Sequence, residues 1–533
     1  MRKKRHPAAI CGLLPVLVVL VASAPALAQK SGGVLRVPHF DSPASMSILE
    51  EATRATVQPM MGVFNNLVLY DQQVAQNSLS SIVPDLATKW EWSEDGKDLT
   101  FPLRQGVKWH DGKPFTSADV KCTWDLLMGK GSDKLRLNPR KSWYENVVEV
   151  TTRGDYEVTF HLKQPQPALL ALMASGWSPV YPCHVPAREM RQHPIGTGPF
   201  KFADFHPNEY IKVTKNPDYW KPGRPYLDGI DYTILREPGP RHLAFFAGKF
   251  DADPLGVSIP TLKDFKEQAP QAVCEVNAAN VPRTMLINPH KPPFDNIELR
   301  RAMILSLDRK AFVDILNAGF GNLGALMLPP PAGVWGMPPE VLATLPGYGS
   351  DVAKNRAEAR AIIQKLGYGP DKPLQLKIAT RNFPGWRDPA VVMISQLKEI
   401  GIDGELDLVD TALWYPKMAR KDFTVGMVPI ESGVDDPDQM FYESFYTGAA
   451  RNYAGYSDPE FDKLVDRQSM TADPQKRKEI VWQAERKLAE AAFRPVIFYP
   501  AGASCRQPWL KGWTRMTNSI YNEWRFEDVW LDK

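Results

Sequence analysis

One segment, residues 83–125, constrains the local structure more tightly than any other part of this 533-residue chain. It reads VPDLATKWEWSEDGKDLTFPLRQGVKWHDGKPFTSADVKCTWD. The Asp-Gly pair at residues 95–96 separates two runs of alternating apolar residues, which predicts a β-hairpin. A further strand is predicted from Val107 to the Asp-Gly turn at residues 111–112, and Ser117 is predicted to cap a helix. The segment therefore predicts a small meander followed by a helix.

The same segment carries a family resemblance. The run VKWHDGKPFTSADV, preceded by W-x-W-S-x-D-G, resembles the family 5 periplasmic substrate-binding proteins of ABC importers, the binders of peptides, dipeptides, opines and nickel. Two later runs are similar to the same family: GTGPFK at residues 196–201 and KNPDYW at residues 215–220. The resemblance extends over nearly all of the chain after residue 28.

The first 28 residues have the composition of a secretory signal peptide. Basic residues at positions 2–5 precede a short apolar run at residues 10–22, and Ala-Leu-Ala follows at residues 26–28. We therefore expect residues 1–28 to be cleaved and the protein to be exported to the periplasm. The alternative is a retained membrane anchor, for which the apolar run is short.

The charge balance gives no sign of a polyanionic partner. The chain holds 64 Lys and Arg against 61 Asp and Glu, but four of the basic residues and none of the acidic ones lie in residues 1–28. The remainder has a net charge of −1. Neither nucleic acid nor an anionic membrane surface is therefore indicated as a partner.

The order of the predicted elements indicates a mixed α/β fold with more than one lobe. A strand-rich part is followed by alternating strands and helices, and a strand at residues 495–499 returns to the start. The resemblance implies a type II periplasmic-binding-protein fold, with two lobes joined by two hinge strands and a sub-lobe inserted in the first. The expected boundaries are 29–66, 196–284 and 500–533 for lobe I, 67–195 for the inserted sub-lobe and 285–499 for lobe II.

Four cysteines remain after residue 28, and an exported protein can oxidise them. Four cysteines allow three pairings, among which the spacing does not choose. They are Cys122, Cys183, Cys274 and Cys505.

Motifs for catalysis are absent from the sequence. There is no G-x-S-x-G, no H-E-x-x-H and no G-x-x-x-x-G-K-[ST], and the nine histidines lack the spacing of metal ligands. Gly-Thr-Gly at residues 196–198 leads into a strand-like run, so it is not a phosphate loop. We expect no cofactor and no metal. A secreted hydrolase of peptides or glycosides stays the alternative, because such an enzyme needs only two carboxylates.

One candidate binding segment is ESGVDDPD at residues 431–438. It resembles the D-x-x-D-P-D segment of the family, whose first aspartate pairs with the α-amino group of peptide ligands. Gly433 stands at that position here, which argues against an ordinary peptide ligand. Glu431 or Asp435 is predicted to supply the carboxylate instead. For Asp435 the alternative is a turn, and Asp436 is predicted to cap a helix.

The second candidate segment is TRNFPGWR at residues 380–387, between a strand and a helix. Similar family members place an arginine near Arg381 to hold a ligand carboxylate, and a guanidinium suits this task because it donates two parallel hydrogen bonds. Arg387 competes for the same role, because the match needs a one-residue gap. Phe383 and Trp386 are predicted to stack on the ligand, with core packing as the alternative.

Two further aromatic residues complete the predicted site. Trp414 resembles a recurring family tryptophan near the cleft, although tryptophans are often core residues. Phe40, next to Asp41, is a candidate by its position after the first strand.

The sequence thus predicts a non-enzymatic, monomeric solute-binding protein of an ABC importer. A small peptide-like, polar or zwitterionic solute is expected to be captured between the lobes and delivered to a membrane permease with a separate ATPase. Arg381 and either Glu431 or Asp435 are predicted to clamp its opposite ends.

Overall fold

The computed structural model describes residues 29–278, 280–430 and 432–533. The predicted signal peptide and Glu431 lie outside this part of the chain. The strands, β1 to β20 in chain order, are Val34–His39, Val68–Tyr70, Ile82–Pro84, Glu91–Trp92, Asp98–Pro102, Val147–Thr152, Glu157–Leu162, Phe200–His206, Tyr210–Lys215, Gly229–Ile234, Ala252–Val257, Val273–Ala278, Arg283–Ile287, Gly321–Asn322, Leu374–Arg381, Ile402–Val409, Val425–Pro429, Val496–Arg506, Leu510–Lys511 and Trp530–Leu531.

The α-helices, α1 to α14 in chain order, are Arg54–Met60, Ser117–Met128, Leu169–Ala174, Pro238–Phe246, Leu262–Gln268, Ile297–Leu305, Arg309–Asn317, Pro339–Leu342, Val352–Lys365, Pro384–Lys398, Thr411–Ala419, Pro437–Ser444, Pro459–Ser469 and Pro474–Ala491. Within the described residues, none of these helices has the length and apolar character needed to cross a membrane.

Lobe I contains a four-stranded sheet in the order β1-β10-β9-β8, in which β1 runs parallel to β10. The C-terminal part of the chain completes this lobe. Arg525 forms a fully buried ion pair with Asp85, with Nη1 and Oδ2 3.0 Å apart. Gln72 donates to the carbonyl of Asn522 at 2.8 Å. Arg525 also donates to Asn66 Oδ1 at 3.4 Å, so the C-terminal segment packs against the first segment of lobe I as well as against the start of the inserted sub-lobe.

The inserted sub-lobe contains the sheet β4-β5-β7-β6. The hairpin predicted at residues 95–96 is confirmed, since β4 and β5 pair antiparallel across it. The strand predicted from Val107 is wrong, because only an isolated bridge from Lys108 to Pro114 forms there. The helix cap is one residue earlier than predicted: Thr116, not Ser117, forms a reciprocal capping box with the third residue of the helix.

Lobe II is organised around parallel pairing of β15 with β16 and with β17. Two helices, α6 and α7, follow each other between Ile297 and Asn317. In lobe I, the seven-residue helix α1 continues into a 3-10 helix at Met61–Val63, before β2 begins at Val68.

Two strands cross between the lobes. The long strand β18 pairs with β12 at one end, where Cys274 lies opposite Cys505, and with β13 at the other, where Arg283 lies opposite Phe498. The two-lobe fold expected from the sequence is thus present, with β12–β13 and β18 as the crossings. The predicted residue boundaries of the lobes stay predictions.

The disulfide pairing left open by the sequence is Cys122–Cys183 and Cys274–Cys505. The first bridge joins α2 to the segment between α3 and β8. The second joins the two crossing strands on the lobe I side.

A glutamate in the core of lobe II has a shifted pKa. Glu485 on α14 is buried, and its Oε1 accepts a hydrogen bond from the amide of Met327 at 2.8 Å. Burial raises the pKa of this carboxyl from 4.5 to about 8, and the Met327 amide opposes the shift only in part. The folded protein therefore holds this proton at neutral pH.

This shift predicts a loss of stability with rising pH. The contribution of protonated Glu485 is present in full below pH 4.5 and is lost as the pH rises through about 8, because the unfolded chain releases the proton first. Between pH 5 and pH 7, we expect the wild-type free energy of unfolding to fall by about 2–3 kcal/mol relative to a Glu485→Gln variant. Denaturant titrations at both pH values measure this difference. Glu490→Gln, an exposed change on the same helix, should give wild-type behaviour, and an equal pH response in Glu485→Gln would contradict the prediction.

Candidate functional site

Loops from the two lobes meet at one contact beside the crossing strands. Phe40 and Asp41 follow β1 of lobe I, whereas Arg381 ends β15 of lobe II and Phe383 follows it. The ring centroids of Phe40 and Phe383 are 6.2 Å apart. Arg381 Nη2 lies 3.9 Å from Asp41 Oδ2. An aromatic pair and an ion pair therefore join the lobes at this point.

Arg381 is buried in this contact and already has protein partners. Its Nη2 and Nε donate to the hydroxyl of Thr411 at 3.0 and 3.3 Å. The carboxylate of Asp41 also accepts from Arg236 at 3.1 Å. A guanidinium carries five N–H donors, so these contacts leave Arg381 with further donors for a ligand. Its role as a carboxylate ligand stays a prediction.

Trp386 packs across the lobes from the first turn of α10. The guanidinium of Arg283, at the start of β13, lies 3.8 Å from the centre of its ring. Arg283 also donates to the carbonyl of Gly385 at 2.8 Å. The buried cluster that contains Trp386 includes Trp177 of the inserted sub-lobe and Tyr521 of lobe I. Trp386 thus lies at the interface, where a stacking contact with a ligand stays a prediction.

Trp414 lies elsewhere, inside the core of lobe II. Its side chain is fully buried and belongs to the cluster that contains Met418, Phe423 and Val428. Its indole Nε1 has no hydrogen-bond partner among the described residues. This location favours the core-packing interpretation over contact with a solute.

Gly433 stands where no side chain fits. A Cβ atom added here would lie 2.6 Å from Cδ1 of Trp177 and 3.1 Å from Oγ of Ser175. The amide of Gly433 donates to Gln439 Oε1 at 2.6 Å, and its carbonyl accepts from the hydroxyl of Ser519 at 2.9 Å. The backbone is therefore fixed from both lobes, and the indole of Trp177 fills the space that an aspartate would need.

Asp435 connects lobe II to the C-terminal segment of lobe I. Its Oδ2 accepts from the amide of Val334 at 3.1 Å and from the side chain of Asn518 at 3.2 Å. Burial raises the pKa of the Asp435 carboxyl to about 6, although both hydrogen bonds oppose the shift. Asp435 remains a candidate ligand residue. Glu431, the other candidate, lies outside the described residues.

The helix-capping interpretation of Asp436 is confirmed. Its carboxylate accepts from the amide of Asp438 at the start of α12, at 2.9 Å. Arg477 of α14 donates to both oxygens of Asp436 at 2.9 and 2.7 Å and to Asp438 Oδ1 at 3.0 Å. Burial alone would lower the pKa of Arg477, but the two carboxylates raise it above its usual value. This buried cluster, Asp436–Asp438–Arg477, fixes the segment that carries Gly433 and Asp435.

Two polar residues of α1 were not singled out by the sequence analysis. The guanidinium of Arg54 lies 4.9 Å from the centre of the Phe40 ring and makes no hydrogen bond or ion pair within the described part of the chain. Gln58, one turn later, is fully buried, and neither atom of its carboxamide has a partner among those residues. The available signal was a pair of long polar side chains spaced four residues apart on a mostly apolar helix.

Comparison with known proteins gives the family. The model for "Bacterial extracellular solute-binding proteins, family 5 Middle" matches residues 81–452. The probable D,D-dipeptide-binding periplasmic protein DdpA of Escherichia coli is 26% identical over 488 residues, which cover 87% of this chain and 90% of that protein.

Solved structures give the fold. The periplasmic binding protein DppA from Helicobacter pylori, in complex with the peptide STSA, has a TM-score of 0.81 at 21% identity, covering 95% of this chain and 99% of that one. The binding protein AgaA from A. tumefaciens R10, in complex with agropinic acid, has a TM-score of 0.79 at 23% identity, covering 94% and 99%.

The family model spans well over half of the chain, and the fold agrees with it over nearly the whole of the described residues. The resemblance found in residues 83–125 is thereby confirmed, as is the type II two-lobe fold. Family members bind solutes and are not enzymes. The chain belongs to the bacterial extracellular solute-binding proteins of family 5.

Proposed function

We propose that this protein captures a small polar or zwitterionic solute between its lobes in the periplasm and delivers it to the permease of an ABC importer, which a separate ATPase drives. The observation that carries the proposal is the interlobe contact, where Phe40 and Asp41 of one lobe meet Arg381 and Phe383 of the other. Charged and aromatic groups from both lobes converge there beside the crossing strands.

The mechanism follows from the hinge. Opening the lobes about β12–β13 and β18 would separate Asp41 from Arg381 and expose both loops to solvent. A solute shifts the protein to the closed form only if it binds that form more tightly than the open one. Groups that face each other across the closed contact supply this difference, because a solute bridges them only when the lobes meet.

The chemical class of the solute is narrowed by Gly433. Proteins of similar structure include one bound to the peptide STSA and one bound to agropinic acid. Similarity alone is therefore compatible with either a peptide or a non-peptide solute. The indole of Trp177 leaves no room at Gly433 for the carboxylate that the resemblance associates with a peptide amino group. We therefore favour a solute other than an ordinary peptide.

The predicted clamp remains part of the proposal. Arg381 would bind an acidic end of the solute, and Asp435 or Glu431 would bind the opposite end. Asp435 supports this role through its position, since its carboxylate already bridges the two lobes by accepting from Asn518.

Native mass spectrometry of mature protein purified gently from periplasm tests the proposal. We expect a stoichiometric small molecule, which denaturation should release for identification. Hydrolysis of peptides or glycosides that stops when one carboxylate is removed would overturn the proposal in favour of a hydrolase.

An Arg381→Ala variant tests the clamp. Losing a charge-assisted hydrogen-bonded contact should weaken affinity for the released molecule by about 10- to 100-fold. Arg387→Ala is the matched control, because Arg387 is partly exposed and pairs with Asp388 at 3.2 Å. Isothermal titration calorimetry on folded protein gives both affinities. Unchanged affinity in Arg381→Ala, or a loss confined to Arg387→Ala, would show that the assignment to Arg381 is wrong.

A further inference from the structure

Arg54 differs from the neighbouring arginines in forming no ion pair within the described residues. Arg381 lies 3.9 Å from Asp41, and Arg515 forms an ion pair with Glu523 at 2.9 Å. The guanidinium of Arg54 lies over the ring of Phe40, and Glu523, which is already paired with Arg515, acts on it only from a longer distance. A cation over an aromatic face gains far less than it loses when its hydration is removed.

The surroundings of Arg54 act on the charge of its guanidinium. Burial and the like charge of Arg515 together lower the pKa of Arg54 to about 10, whereas Tyr521 and Glu523 act in the opposite direction. The side chain is still ionised at neutral pH. It is therefore a partly exposed positive charge, close to the contact between the lobes through Phe40.

Gln58 gives independent evidence for a missing polar group on the same face of α1. Residues four apart on a helix lie above one another, and the side chain of the later residue leans toward the earlier one. Gln58 is 0% exposed, and both its carboxamide atoms lack a partner within the described residues. An unmet buried amide costs about 1–3 kcal/mol, so a ligand that supplies a hydrogen-bonding group would recover this loss.

The adjacent histidine does not add a second charge. His39 Nε2 lies 2.9 Å from the carbonyl of Ala55, so Nε2 carries the hydrogen and Nδ1 is an acceptor. Burial lowers the pKa of His39 to about 3, which keeps the ring neutral. Arg54 and Gln58 of α1 therefore offer one positive charge and one carboxamide, a combination that matches a group with a single negative charge.

We propose that Arg54 and Gln58 bind a carboxylate, and that the transported solute is an organic acid whose recognition does not require a free ammonium group. The guanidinium presents two parallel N–H donors to a carboxylate, and Gln58 adds a third donor. The second half of the proposal comes from Gly433, where Trp177 excludes an acidic side chain. This inference rests on the proposed function and assigns the substrate class of the same cleft.

Calorimetry on the mature protein tests the assignment with matched probes. The panel contains N-acetyl amino acids, dicarboxylic acids and sugar acids, each beside its primary amide, and inorganic phosphate. We expect at least one acid to bind about 10- to 100-fold more tightly than its amide. Arg54→Gln should abolish this preference, and Arg54→Lys should keep part of it. Arg420→Gln, an exposed change on lobe II, should leave it unchanged.

Several outcomes would overturn the proposal. They are equal binding of acid and amide, a preference that survives Arg54→Gln, binding of phosphate alone, and no binding by any acid of the panel. A neutral solute bound one to one, with no dependence on Arg54, would reject the substrate class and leave the proposed function intact. Absence of any bound solute in periplasmic or panel experiments would instead count against the proposed function itself.

A stability readout separates ligand binding from a structural role. If Arg54 supported the fold, Arg54→Gln would lower the Tm of the ligand-free protein. Because its guanidinium forms no ion pair or hydrogen bond within the described residues, we expect the ligand-free Tm to stay equal or to rise by about 1–2 °C. A clear fall in Tm would assign Arg54 to the scaffold and reject it as a ligand residue.

Discussion

Gly433→Asp is expected to lower the free energy of unfolding by about 4 kcal/mol or more and to abolish solute binding. The new Cβ would lie 2.6 Å from Trp177, a distance that neither side can accept without movement. Trp177 is itself held in place, with its ring 5.4 Å from that of Tyr521. The added carboxylate would also lose its hydration in a buried site. Denaturant unfolding and calorimetry measure the two losses.

Two further variants make this expectation specific. Gly349→Ala is the matched control, because a Cβ at Gly349 meets nothing within 4 Å and should change stability by less than about 1 kcal/mol. Combining Gly433→Asp with Trp177→Ala removes the steric conflict, so the double variant should be more stable than the sum of the single changes by about 1–3 kcal/mol. Strict additivity would show that Trp177 is not what excludes the aspartate.

Arg477→Met is expected to destabilise the protein by about 3–5 kcal/mol. The change leaves Asp436 and Asp438 buried side by side without the guanidinium that now bonds to both. Because the cluster fixes the segment that leads to Gly433 and Asp435, solute affinity should fall as well. Thermal and denaturant unfolding measure the first effect, and calorimetry measures the second.

The control for this prediction is Arg467→Met, an exposed change on α13, which should cost less than about 1 kcal/mol. Adding Asp436→Asn to Arg477→Met removes one of the two stranded charges and should recover part of the lost stability. An Arg477→Met protein as stable as wild type would mean that solvent or another cation compensates the carboxylates.

The parts of the fold that the sequence predicted well are those that depend on local chemistry. The hairpin at residues 95–96 formed as expected because an Asp-Gly turn and alternating apolar residues act over a few positions. The strand expected at Val107 did not form, because a strand also needs a partner that local sequence does not reveal. Val107 and Trp109 are buried, but no neighbouring strand pairs with them, and pairing is a tertiary property.

Only those residues of the site that lie in family-like motifs could be predicted from the sequence. Those motifs pointed to Arg381 and Trp386, which lie at the contact between the lobes. They could not show that Trp177 fills the space at Gly433, because those residues are far apart in sequence. The position of Arg54 over the ring of Phe40 was equally hidden, since contacts between separate segments are known only when all neighbours are in place.

The two-ended construction of lobe I has a consequence for biogenesis. Asp85 pairs with Arg525 and Gln72 with Asn522, so this core lacks part of its contacts until the end of the chain has been synthesised. That part of the growing polypeptide would therefore stay loosely packed until translation ends. Such a delay favours passage through a narrow translocation channel, which accepts unfolded chains, and defers oxidation of Cys274 with Cys505 to the far side of the membrane.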